Sequence, residues 1–176
     1  RDVPFIYPSK RGLKNLRIGY IASAFVDSSV SENDKASLDV LKSMGLNLIP
    51  IELPKFPTQA LSFVLQAEAA AAFDELTRSN KDDQLVRQVK SAWPNVFREA
   101  RFIPAVEYIN ANRARTLLNQ KMSELMEKID VYIIPSFYGD NLLRTNLTGH
   151  PCVVVPNGFN KKGRPTSISF VGGLYS

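Results

Sequence analysis

Apolar and polar positions follow two rhythms along this chain. In "LKNLRIGYIAS" they alternate and then turn fully apolar, which predicts a strand over Leu16–Ala22. "SENDKASLDVLKSMG" then offers Ser31 as N-cap and Asp34 at the capping-box position. Apolar residues follow at helical spacing (Leu38, Leu41, Met44), and Gly45 is the terminator. "LNLIPIEL" reads as a second strand, so the first third of the chain is a βαβ unit whose strands should be parallel.

From Thr58 the pattern is helical: "TQALSFVLQAEAAAAFDELTRS" puts Leu61, Val64, Leu65, Ala72, Phe73 and Leu76 on one stripe. A shorter helix is expected over Asp82–Ala92, ending near Trp93 because Pro94 disfavours helix in the residue before it. A long helix is predicted from near Pro104 to Lys128, with Val106, Ile109, Arg113, Leu117, Met122 and Leu125 on one side. "IDVYIIP", "PCVVVP" and "PTSISFVG" are the remaining strands, the last two joined through "NGFNKKGR" as a hairpin or wide turn. The fold class is α/β, a mixed sheet flanked by helices, over a single domain of residues 1–176.

With 44% hydrophobic and 22% charged residues, the chain has the composition of a folded protein, long enough to bury a core. Its net charge of +5 is scattered, with no basic run longer than two residues and no aromatic interleaving, so nucleic acid is not an expected partner. No apolar run approaches the roughly 20 residues that cross a bilayer, and "RDVPFIYPSKRG" lacks the apolar stretch of a signal peptide. No membrane partner and a cytoplasmic location are therefore expected. The start without Met and the stop just after a strand read as a cut from something longer.

Candidate chemistry concentrates in "NLTGHPCVVVPNGF", which holds the only His (His150) and the only Cys (Cys152). One Cys excludes an intrachain disulfide framework and a cysteine-based zinc site, and Cys152 reads as filler in an apolar strand. His150, fixed between Gly149 and Pro151, reads as structural; Cys152 points away from it if the segment is extended. A lone His with no carboxylate cluster gives no metal site, and no cofactor is expected. Asn146-Leu147-Thr148 is a formal glycosylation triplet, but Asn146 and Thr148 are expected to bond neighbouring backbone in a loop. "GYIASAF" has one glycine where a dinucleotide fingerprint needs three. Ser28, Ser29, Lys10 and Lys14 have no neighbours that would activate them. No catalytic residue emerges.

Taken with its continuation, "TNLTGHPCVVVPNGFNKKGRPTSISFVGG" resembles the C-terminal part of amidase signature enzymes, through Asn146, Gly149, Pro151, Pro156, Gly158, Phe159, Gly163, Pro165 and Gly172. Upstream, "LKNLRIGYI", "LKSMGLNLIPIELP", "YINANRARTLL" (with Tyr108 and Arg113 or Arg115) and "IDVYIIPS" are similar to successive elements of that family, Ser136 standing where Thr is usual. The resemblance implies hydrolysis of carbon–nitrogen amide bonds by a nucleophilic Ser. A second Ser in a cis peptide and a Lys would activate it, and backbone N–H groups of a Gly/Ser-rich loop would hold the oxyanion. None of those segments is in these 176 residues.

What the chain would keep is a wall of the substrate pocket over Gly139–Pro151, with Asn146 and Gly149 in it. The resemblance places Asp140 near an acidic residue that holds a substrate amine, and Arg101 near an Arg that holds a substrate carboxylate. The expected partners are the N-terminal catalytic portion of the same polypeptide and a small amide substrate. A fragment of a sheet should also expose apolar surface and self-associate. The rival reading is a non-catalytic α/β binding or interaction domain descended from the same family.

Overall fold

The computed structural model describes residues 12–28 and 30–175. They group into two compact units, one made of the described residues up to Lys55 with 119–175, the other of Phe56–Leu118.

The first unit is built on a five-stranded mixed sheet. Its strands are β1 (Ile18–Ile21), β2 (Leu48–Ile51), β3 (Val131–Pro135), β4 (Cys152–Phe159) and β5 (Pro165–Gly172), in the order β2-β1-β3-β5-β4. β2, β1 and β3 are parallel, whereas β5 runs antiparallel to both β3 and β4. The expected βαβ unit and C-terminal hairpin are both present. Arg17 and Asp130 pin β1 to β3: Arg17 donates from its backbone N–H to Oδ2 at 2.8 Å and from Nη2 to Oδ1 at 3.0 Å, while the Asp130 N–H donates back to the Arg17 carbonyl at 2.8 Å.

A short helix absent from the sequence expectation, α1 (Ala22–Val26), follows β1. α2 (Glu32–Ser43) begins with the predicted capping box, Ser31 and Asp34 each bonding the other's backbone. The same helix holds the end of the hairpin. Asn33 Nδ2 donates to the Phe159 carbonyl at 3.0 Å and to Thr166 Oγ1 at 2.9 Å, and Asn157 Nδ2 donates to Asp34 Oδ1 at 2.8 Å. Between Pro156 and Gly158 the strand bulges. Gly158 sits at φ 138°, and a Cβ there would lie 2.9 Å from the Asn33 amide. That crowding is the physical content of the Pro-x-Gly-Phe motif.

The second unit contains α3 (Phe63–Ala72), α4 (Asp74–Arg78), α5 (Trp93–Ala100) and most of α6 (Ala105–Met126), which ends in the first unit. The helix expected to run on from Thr58 is interrupted by a 3-10 turn at Thr58–Leu61 and a break at Phe73. Its stripe holds only in part, since Leu61 and Val64 are buried but Leu65 and Phe73 are exposed. The expected helix over Asp82–Ala92 is not formed. Gln88 Nε2 donates to the Asp82 and Leu85 carbonyls, both at 2.8 Å, removing acceptors a helix would use. Arg98 meanwhile holds the buried Asp82 carboxylate at 2.5 Å. Pro94 starts α5 rather than stopping its predecessor, since a first-turn residue needs no N–H. α6 matches its predicted span, but Val106, Ile109 and Leu117 are exposed while Ala111, Leu118, Met122 and Leu125 are buried.

α7 (Asn141–Thr148) is the largest correction, because the segment read as a loop is a helix. Cys152 is corrected as well: it is exposed on β4. So is nearly all of that strand. Val153, Val154 and Val155 are 64%, 57% and 41% exposed, so side chains that alternate between the two faces are bare on both.

Gly158→Ala should lower stability by about 2–4 kcal/mol, combining backbone strain with displacement of the bonded Asn33 amide. In an Asn33→Ala background only the strain remains, and the added loss should fall to about 1–2 kcal/mol. Urea unfolding of the four proteins, compared at unchanged m, measures both.

Candidate functional site

Parallel strands in an open sheet direct their following loops to one edge, where such folds gather ligand-binding groups. Here that edge collects Ser23 after β1, Glu52 after β2, and Ser136 to Asp140 after β3. Glu52 accepts from the Ser23 backbone N–H at 2.8 Å and from Ser23 Oγ at 2.5 Å, so both its oxygens are used in holding the start of α1. Ser136 Oγ lies 2.8 Å from Ser169 Oγ of β5. No expectation from the sequence grouped Ser23, Glu52 and Ser136. The signal available was their position just after apolar strand runs.

From this edge the chain turns back through Phe137 (φ 69°) and Gly139 (φ 56°) into α7. The inward face of α7 is mostly polar: Asn141, Arg144, Thr145 and Thr148 recur at helical spacing and are buried, with Leu147 the apolar residue buried beside them. Each polar side chain finds a partner. Asn141 Oδ1 accepts from the Tyr132 hydroxyl of β3 at 2.8 Å, and burial pushes that phenol well above its ordinary pKa. Arg144 Nη2 donates to the two oxygens of Asp140 at 3.0 and 3.3 Å. Thr145 Oγ1 bonds the Asn141 carbonyl at 3.1 Å, and Thr148 Oγ1 bonds that of Arg144 at 2.9 Å.

His150 closes this series. Its Nδ1 lies 2.8 Å from Thr148 Oγ1, whose single hydrogen already goes to the Arg144 carbonyl. The imidazole must therefore supply the hydrogen from Nδ1. Burial pushes the His150 pKa down, so the ring is neutral near pH 7 and fastened to the helix end, consistent with a structural residue. Gly149, at φ 76°, terminates α7 in the left-handed conformation, its N–H bonding the Thr145 carbonyl at 2.8 Å.

Of the four residues singled out as substrate contacts, three are spread along α7 and the fourth belongs to the second unit. Asp140 begins α7; Gly149 ends it, roughly 13 Å further along the helix axis at 1.5 Å per residue. Asn146 is exposed on the same helix, and its expected place in a loop is corrected along with the loop. Arg101 belongs to the second unit, where its Nη2 contacts Asp74, a carboxylate that also pairs with Arg78 at 2.6 Å. Hydrogen bonding from Arg78, helped by the charge of Arg101, holds the Asp74 carboxyl below its ordinary range. The same unit has a shallow cleft of about 330 Å³ lined by Ala67, Glu68, Ala71, Ala100, Ile103, Ala105 and Tyr108, with the Tyr108 hydroxyl 3.1 Å from Glu68 Oε1.

Lys10 and Ser29 lie outside the described residues. Among the described residues no cluster of three or more His, Cys, Asp or Glu could hold a metal, and no helix is long and apolar enough to cross a membrane.

Because the folded-state pKa of His150 is depressed, its contribution to stability is present above the unfolded value near 6.5 and is lost as pH falls through the folded value. Between about pH 7.5 and about pH 5.5 the wild-type chain should lose more stability than His150→Gln, as read from urea midpoints at the two pH values. Tyr132→Phe should cost about 1–3 kcal/mol at either pH, by stripping the buried Asn141 oxygen of its donor.

Residues 1–144 match the Amidase family model. The match ends at Arg144, short of the stretch from Asn146 to Gly172 that carries the sequence resemblance most strongly. Alignments with individual relatives reach past it. One subunit of the glutamyl-tRNA(Gln) amidotransferase of Prochlorococcus marinus (strain AS9601) is 23% identical over 220 residues, covering 99% of this chain and 45% of the relative. An amidase of Pseudomonas putida is 24% identical over 182 residues, covering 87% of this chain and 38% of its own. The first alignment is longer than the 176 residues available here, so that relative carries residues inside the matched region that this chain lacks. A crystal structure of an amidase superposes with a TM-score of 0.74 at 14% identity, over 93% of this chain and 43% of that one, and shows the shared fold. The chain thus spans less than half the length of each of these three. By the extent of the family match, the chain belongs to the amidase family.

Proposed function

We propose that these residues form the pocket-wall portion of an amidase that hydrolyses carbon–nitrogen amide bonds, with the Ser-Ser-Lys chemistry supplied from outside them. One observation carries this reading: β4 is a strand of apolar residues bare on both faces, and its outer edge is unpaired among the described residues. A strand that ends a sheet commonly keeps one covered face and protects its edge with charge. β4 has no charged residue from Cys152 to Phe159. Such a surface suits a larger body that continues the sheet and covers it on both sides, as a catalytic portion of the same polypeptide would.

The carboxyl edge, with Ser136 and Asp140, is then the part of the wall that faces the substrate. Among the described residues it offers hydrogen-bonding groups without a free nucleophile–base pair. Ser23 and Glu52 are committed to each other at a helix start, and His150 to Thr148. That commitment is also what favours the second reading, a non-catalytic α/β binding domain derived from amidases.

A hydrolase assay on a panel of simple amides separates the two when run on this chain and on the full-length product of its gene. Turnover by the full-length protein alone is the expected outcome; turnover by neither favours the binding domain, and turnover by the 176 residues overturns the assignment of chemistry elsewhere. The isolated chain should also self-associate through β4. Sedimentation velocity should show species larger than a monomer, shifted toward monomer by Val154→Lys, whereas a monodisperse wild-type monomer at high concentration would sink the idea of an uncovered strand.

A further inference from the structure

We infer that Arg144 is a positioning residue that sets substrate charge preference: by holding Asp140 in an ion pair it keeps this part of the pocket wall electroneutral, so that the site selects uncharged amides over amides bearing an ammonium group. The inference rests on the amidase reading above and deepens it.

Arg144 is 3% exposed, and the hydrogen bonds its guanidinium makes among the described residues both run from Nη2 to Asp140. Its Nε and Nη1 are buried without a hydrogen-bond partner among those residues. The other buried polar groups described along this face carry no compensating charge, since Asn141, Thr145 and Thr148 are neutral and Tyr132 is a buried phenol. Asp140 is thus the counterion of a buried cation. A buried guanidinium stripped of its counterion is strongly destabilising, so Asp140 is not free to leave.

Asp140 itself is 24% exposed and can be reached from solvent. A substrate ammonium approaching it would compete with a desolvated guanidinium fixed one helical turn away, and would be repelled by that charge. An uncharged amide meets no such opposition. The carboxylate has more acceptor positions than the Arg144 contacts fill, and an amide N–H can take one without displacing anything. The Asp140 carboxylate therefore acts as a hydrogen-bond acceptor of fixed orientation, and its charge is spent inside the protein.

The test uses the full-length protein and a matched pair of substrates, hexanamide and 6-aminohexanamide. The wild type should favour the uncharged amide by at least about tenfold in kcat/KM. Arg144→Gln should shrink that preference by at least about tenfold, through a lower KM for the cationic amide with kcat little changed, and Arg144→Lys, which keeps the charge, should retain it. A wild-type preference for 6-aminohexanamide, or a preference unmoved in Arg144→Gln, overturns the inference while leaving amide hydrolysis standing. Should Arg144→Gln not fold, inhibition of the wild type decides: pentylammonium at least about tenfold weaker than 1-pentanol supports the inference, and equal inhibition overturns it. Absence of turnover on every amide removes the amidase reading and this inference together.

Discussion

Polar groups withdrawn from water must find partners, and the polar inward face of α7 makes that constraint govern the first unit. Tyr132 bonds Asn141 at one end of the helix, and at the other Thr148 joins the Arg144 carbonyl to His150, so bonds of this face are found from β3 to the entry of β4. None of these bonds is strong by itself, each adding about 1 kcal/mol net. Leaving any partner unmade would cost more, which ties the helix to one rotation and one axial position. Asp140 owes its place to that rotation: Arg144 turns inward with the rest of the stripe, and its counterion sits one turn earlier at the helix start.

The same polar face explains why the helix was hidden in the sequence. Periodicity is read from apolar residues, and in 141–148 the recurring positions are Asn, Arg, Thr and Thr, with leucines between them. The stretch therefore reads as a loop with Asn146 and Thr148 as backbone ties. Elements whose inward face is apolar, such as β1, β3 and β5, were legible, as was α2 through its Ser31–Asp34 capping box. The 82–92 segment failed for a related reason. Its propensity was overridden by Gln88 capturing two carbonyls and by Asp82 being drawn inward to Arg98, neither of which a local pattern reveals.

The candidate site was legible by halves. Asp140 came from resemblance, and its i,i+4 partner was within reach once 141–148 was taken as helical, since Asp followed by Arg at that spacing is a standard ion-pair geometry. Ser23, Glu52 and Ser136 belong together only through strand order, which places the ends of β1, β2 and β3 side by side although they lie far apart in sequence. The Prochlorococcus relative carries residues inside the matched region that this chain lacks, which bears on the placement of Arg101 and Asp140 by resemblance. Where residues are missing from one chain, motif spacing no longer fixes which side chain occupies a given point in space.

β4 shows how a sequence can describe surroundings it does not contain. A run of three valines is what a strand buried on both faces requires, because each successive side chain points into a different apolar layer. In this chain the strand carries that pattern, yet Val153, Val154 and Val155 are all exposed, and Phe159 at its end is 70% exposed. The polar pins at its far end, Asn33 and Asn157 against α2, hold the strand in place with both faces exposed. Its position is therefore set from within, and its apolar faces are free for a partner of matching shape. Under the proposed reading, the apolar pattern of β4 describes the surface that would cover it as much as it describes this unit.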